Sequence, residues 1–219
     1  MLFRFLPMLA LISSVVFVSS CKRGEDDPFL SLRSRDNRVM GEWKLSSMES
    51  RQEINNSTNS SVTNTIVEEK FNGSDFTRDT SITTNTSNYK RTVTYKEYSM
   101  VVNIMEGAVI EGFEKVGNET VTGTGITGAI TTLSNQKSSV KGYWKWGNDD
   151  KNKGALTLST GGPGVSFGGW GTVTYQIQKL TNKEMVLIYN DYEKNELSLP
   201  GIATTDEIKR SIKITFTQE

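Results

Sequence analysis

Histidine is absent from the 219 residues, cysteine occurs once and proline four times. The missing histidine removes Ser-His-Asp and Cys-His nucleophiles, an imidazole general base and His-ligated zinc. A single cysteine leaves no internal disulfide and no Cys-rich metal cluster. Excess charge of one sign is also lacking, since 25 Lys+Arg stand against 25 Asp+Glu. Such a balance lacks the basic footprint that phosphate backbones require, so nucleic acid is not an expected partner. The length is that of one domain. Only one long apolar run is present, and it is shorter than the ~20 residues a spanning helix needs.

That run lies at the start. Arg4 precedes Leu6 to Val18, apolar apart from Ser13 and Ser14, and the segment closes with Val18-Ser19-Ser20-Cys21. Positive residue, short apolar stretch and small residues describe an export signal. An aliphatic residue, two small ones and then the sole cysteine resemble the lipoprotein box of bacterial lipoproteins. The resemblance implies that residues 1–20 are a signal peptide cut before Cys21 and that Cys21 carries acyl chains such as palmitate. Each buried CH₂ of those chains adds about 0.8 kcal/mol of membrane attachment. It further implies a Gram-negative cell envelope, with the membrane as partner and an outer-membrane location, facing the periplasm or the cell surface. The other reading is an ordinary secretory signal cut near Ser20. Residues 21–28 form a charged tether ending at Pro28, too polar to bury anything. Its Glu25-Asp26-Asp27 triplet is either plain solvated linker or, by resemblance, a surface-sorting tag of such lipoproteins.

Residues 29–219 form the domain. Phe29, Leu30, Leu32 and Val39 suit one short helical turn with Arg33, Arg35 and Arg38 outside. From Gly41 the chain is rich in Thr, Val, Ile and aromatics, broken by Gly and Asn, with no sustained helical period. Ten strands are predicted, at 42–50, 62–72, 88–104, 107–116, 119–133, 138–147, 154–160, 171–180, 183–192 and 207–217. Ile208, Arg210, Ile212, Ile214 and Phe216 share one face of the last, and Val173, Tyr175 and Ile177 one face of another. Thr181-Asn182-Lys183 turns one hairpin, and residues 147–154 turn a second. The expected fold class is all-β: eight to ten antiparallel strands closing into an up-and-down barrel, with a sandwich as the alternative. A transmembrane barrel is disfavoured because Glu69, Arg91 and Lys-rich strands interrupt a lipid-facing band.

Gly41-Glu42-Trp43 opens the first strand after the helical turn and resembles the Gly-x-Trp signature of lipocalins. The hairpin meander and the stretch Tyr175 to Leu187 look like lipocalin-like domains of bacterial lipoproteins. The resemblance implies that Trp43 lies across the closed end of the barrel with a basic residue of the final strand packed on it. Arg210 has the right parity, and a cation on an indole face is worth about 0.5–2 kcal/mol. Candidate lining residues of an inner ligand cavity are Trp43, Tyr175, Ile177, Leu187, Tyr189 and Phe216. Phe167 and Trp170, in the Gly-rich segment 161–171, are candidates for a binding tip.

Other motifs carry less. Gly123 to Gly128 spells G-x-G-x-x-G, but a short β-branched stretch follows instead of a helix, so no dinucleotide site is expected. Asn148 to Asn152 has oxygens for a calcium loop, but Lys151 and Lys153 oppose a cation and the later Glu is missing. Glu68 and Glu69 are neighbours on a strand and point to opposite faces, so they are not a catalytic pair. No enzyme, metal or cofactor is expected; were there catalysis, Glu111 or Glu69 inside the barrel would be its first suspects. Two functional readings remain: a barrel that binds a small hydrophobic ligand or an envelope protein, or a self-filled interaction module. Small inward residues would indicate a cavity and large ones a packed core.

Overall fold

The computed structural model describes residues 34–125, 128–147, 153–161, 172–199 and 202–218. Helix α1 (Arg35–Val39) leads into β1 (Gly41–Thr58), β2 (Ser61–Phe71), β3 (Phe76–Thr84), β4 (Asn88–Lys96) and β5 (Ser99–Ile104). There follow β6 (Val109–Gly123), β7 (Ile130–Trp146), β8 (Ala155–Gly161), β9 (Thr172–Leu180), β10 (Glu184–Leu199) and β11 (Ile202–Thr217). Every ladder is antiparallel, and pairing of β11 with β1 closes the sheet into a ring.

The ring forks twice. β1 pairs with β5 through Gly41–Lys44 and with β2 through Met48–Thr58. β6 pairs with β5 over Ile110–Lys115 and with β4 over Asn118–Gly123. One end is therefore a circuit of β1 and β5 to β11; at the other, β2, β3 and β4 join β1 to β6, and among the described residues no ladder joins β7 before Lys141 to β10 beyond Ile188. Both forks lie at register shifts, between Leu45 and Ser47 in β1 and between Val116 and Asn118 in β6. A bulge bends a strand and increases its twist, which lets one strand change partners along its length. At the second fork Gly117 is needed for space, since a Cβ there would lie 2.7 Å from the Lys96 carbonyl.

All-β architecture, a helical turn before Gly41 and the pairing of the strands that flank 147–154 and 181–183 agree with the sequence reading. Arg38, expected on the outside of that turn, is instead buried, and Phe29, Leu30 and Leu32 lie outside the described residues. The strand boundaries need correction. β3 was not expected at all, because only Phe76 and Ile82 break its run of Thr, Ser, Arg and Asp. The single strand expected at 88–104 is two, separated at Glu97, whose φ of 53° turns the chain. The break expected near Gly117 is the bulge of one continuous β6, and the turn lies instead at Gly123–Gly128. There Gly125 and Gly128 take φ of 77° and 83°, no helix follows, and the dinucleotide reading is excluded by the hairpin.

Burial follows parity. Inward residues of the closed end form one apolar cluster, including Trp43, Leu45, Ile104, Ile110, Leu156, Tyr175, Leu187, Ile214 and Phe216. Beyond Ile188, β10 pairs among the described residues with β11 alone. Lys194 and the inward charges Asp191 and Glu193 sit on that edge, the composition that discourages edge-to-edge association.

Candidate functional site: the inner face of the ring

The closed end is built from α1 upward. Ser34 caps the helix, its hydroxyl accepting from the Asn37 N–H at 3.2 Å. Asp36 then accepts from Trp146 Nε1 at 2.7 Å and pairs with Lys153. The Lys153 hydrogen bond holds the Asp36 carboxyl below its ordinary value, against the opposing effect of burial. Arg38, although buried, donates from Nη1 to the Leu180 carbonyl at 2.6 Å. Trp43 Nε1 donates to the Val39 carbonyl at 2.8 Å, tying the first strand to the helix that precedes it. Gly41 makes the corner between them with φ 124°, where a Cβ would also meet the Gln218 side-chain nitrogen at 2.5 Å.

Trp43, Tyr175, Ile177, Leu187 and Phe216 are brought together here, each at most 4% exposed. Tyr189 packs against the cluster, its ring 6.1 Å from that of Tyr175 in an edge-on contact. Burial raises the pKa of both hydroxyls. The candidate lining residues thus pack with one another in the apolar cluster. Phe167, Trp170, Asn148 to Asn152 and Cys21 lie outside the described residues.

Arg210 requires a correction. It faces inward as its parity implies, but its register partner in β1 is Gln52, nine residues beyond Trp43. At 3.3 Å per residue that separates it from the indole by roughly 30 Å along the strand. Its guanidinium pairs instead with Asp191 at 2.6 Å and Glu193 at 2.7 Å. Alternation fixes which face a side chain occupies and says nothing of its height.

A polar belt lies above the apolar floor. Glu69, 5% exposed, accepts from Arg78 on the neighbouring strand at 2.6 and 2.8 Å. Glu114, 4% exposed, hydrogen-bonds Tyr98, whose hydroxyl is pushed upward by burial and then by that carboxylate. The Tyr98 ring contacts Phe71 and Phe76 at centroid distances of 5.4 and 5.2 Å. Arg210 with its two carboxylates, and Tyr189 bonded to Asp191, continue the belt on the other side. Glu68 points outward to Arg51, confirming that it and Glu69 face apart. Glu111 is exposed on the outer face. Neither suspect for catalysis therefore stands inside the ring with a partner carboxylate supplied by the other. Among the described residues no cluster of His, Cys, Asp or Glu is arranged to hold a metal.

Sequence reasoning missed Arg78, Tyr98 and Glu114. One usable signal existed: counting back by twos from Phe71 puts Glu69 on the core face. Glu69 and Arg91, expected to spoil an outer lipid-facing band, both lie on the inner face by register. The outer face carries other charges, among them Glu49, Arg51, Lys141 and Lys213. No family model matches the chain, and no curated protein matches it either.

Proposed function

We propose that this chain is a lipid-anchored protein of the bacterial envelope whose ring is a lipocalin-like barrel, working by binding rather than by catalysis. The anchor reading is carried by one observation: the only cysteine of the chain stands directly behind Val18-Ser19-Ser20 at the end of the apolar run. The barrel reading is supported by the eight-strand circuit at the closed end. Summed from ladder to ladder around β5 to β11, the register offsets bring the circuit back to β1 about a dozen residues higher, a stagger of the kind that tilts the strands of a small closed barrel.

Between the two binding modes, the packing favours the interaction module. The candidate lining residues fill the floor with their own side chains, and the belt above is charged. Neither offers the apolar concavity that most small-ligand sites present. The anchor is tested by growing cells on labelled palmitate and fractionating them. Wild-type protein should take up label, lose residues 1–20 and sediment with membranes, and Cys21→Ser should neither take up label nor be cut before residue 21. An unlabelled, soluble wild-type protein would remove the anchor from the proposal. Organic extraction of purified protein tests the filled floor, and a stoichiometric co-purifying apolar compound would favour the ligand-carrying alternative.

A further inference from the structure

The outward residues of β6 and β7 make a strip unlike the rest of the surface. Lys137, Lys141 and Lys145 alternate along β7, with Lys115 across from Lys137, and all four are exposed. Glu111, opposite Lys141, is the one acid on the outward positions of these strands between Val109 and Lys115. The flanking outward positions are uncharged, Ser99, Val101 and Asn103 on β5 and Ser159 on β8, while Thr157, opposite Lys145, is buried. Placing Lys115 directly opposite Lys137 costs stability, since like charges in register repel. The Phe113 ring, 4.0 Å from the Lys137 ammonium, offsets part of that cost.

Apolar groups are interleaved with the lysines. Val101 pairs with Phe113 and Val109 with Tyr143, the latter 69% exposed. A shallow groove of about 540 Å³ runs past Val109, Glu111, Lys141, Tyr143 and Ser159. From Lys137 to Lys145 the lysines spread over roughly 26 Å of strand. A site for one phosphate or carboxylate would converge its donors on a point. A row of separated cations with aromatic and aliphatic groups between them matches a surface carrying many anions at an apolar boundary.

We infer that the outer face of β6 and β7 rests on an anionic lipid surface. The inference draws on the proposed anchor for proximity alone: residues 21–33 extend at most about 45 Å from the closed end, which keeps this face within reach of the bilayer. The contact would lay the strands along the membrane.

The test uses the chain from residue 21 with Cys21→Ser in every arm, so that neither the apolar run of residues 6–18 nor acylation plays a part. Binding is measured on vesicles of phosphatidylcholine alone and with about 30% phosphatidylglycerol. Each lysine near an anionic surface contributes about fivefold to partitioning. Replacing Lys115, Lys137, Lys141 and Lys145 by Gln should therefore lower binding to the anionic vesicles by about 600-fold, with an unchanged circular dichroism spectrum. Lys209→Gln with Lys213→Gln, on the outward positions of β11, should stay within about threefold of the parent. The inference fails if the fourfold variant binds within threefold of the parent, or if the parent prefers neither vesicle. It also fails if a soluble anionic polysaccharide is retained while anionic vesicles are not. Failure of the anchor reading shows separately, as absence of palmitate label on wild-type protein.

Discussion

Trp43 is the side chain on which the closed end turns, so its truncation gives the most decisive measurement. It is wholly buried, and its Nε1 is hydrogen-bonded to the Val39 carbonyl. Removing the indole beyond Cβ withdraws about 150 Å² of apolar burial, worth ~4 kcal/mol at 25 cal/mol per Å². Loss of the bond to Val39 adds about 1 kcal/mol. Trp43→Ala should therefore cost ~4–5 kcal/mol, a large part of the 5–15 kcal/mol that holds a typical domain. Trp43→Phe keeps most of the ring volume and loses the bond, so about 1–2 kcal/mol is expected. Urea unfolding followed by far-ultraviolet circular dichroism reads both without relying on the deleted fluorophore. A cost under ~1.5 kcal/mol for the alanine variant would refute the packing argument. Equal costs for the two variants would place the energy in the hydrogen bond and leave the indole volume irrelevant.

Three further outcomes are expected. Asp36 has its pKa lowered from 3.8 by Lys153, so its contribution is fully present above that value and fades as pH falls through the lowered folded value. The gap in urea midpoint between parent and Asp36→Asn should be constant from about pH 5 to 8 and close below pH 4; a gap that widens in acid would contradict the latch. Glu69→Ala deprives the half-buried Arg78 of its carboxylate and should cost about 2 kcal/mol, part of which returns in Glu69→Ala/Arg78→Met. A double variant weaker than the single one, by the same unfolding assay, would deny the coupling. Gly112→Ala would set a Cβ 2.1 Å from the Val101 carbonyl, so β5 and β6 must part and ~2–3 kcal/mol is expected; an unchanged midpoint would mean that the ladder yields freely.

Much of the fold was legible because its clearest signals are local. Ile212, Ile214 and Phe216 alternate with polar neighbours, and Val173, Tyr175 and Ile177 do the same, so faces were assigned correctly. The errors fall where local pattern and topology separate. β3 has little apolar alternation because most of its inner face looks into the polar half of the ring. Gly117-Asn118 has the composition of a turn, yet it serves as a bulge where β6 changes partner. Whether a glycine ends a strand or bends it depends on what pairs alongside, here the Lys96 carbonyl. Arg210 shows the same limit: its face was readable from alternation, and its height along the strand was set by a register running through every intervening ladder. The polar belt was illegible for a different reason. Glu69, Arg78, Glu114 and Arg210 occupy inward positions that the apolar-in rule assigns to the core, and only three-dimensional pairing makes such burial tolerable.

The forks and the polar belt have one physical origin. Away from the closed end β2, β3 and β4 take the place of β5 between β1 and β6, two more strands at about 4.8 Å each, while among the described residues β7 and β10 are no longer joined through β8 and β9. The narrow circuit is of a size that side chains can fill, and Trp43, Tyr175 and Phe216 fill it. The wider end, not closed by ladders among the described residues, leaves room that water or polar side chains must occupy, so inward carboxylates and guanidinium groups there meet less desolvation than they would on the floor. The paired charges of Glu69 with Arg78 and of Arg210 with Asp191 and Glu193 stand at this transition. An apolar ligand entering from the wide end would have to displace those pairs before reaching any apolar surface, leaving buried charges uncompensated. Among the described residues, the arrangement therefore weighs against the ligand-carrying alternative of the proposed function on a second ground besides the packed floor. Under the proposed binding function, recognition falls to the polar rim and the outer faces, among which the lysine strip of β6 and β7 carries the most definite chemistry.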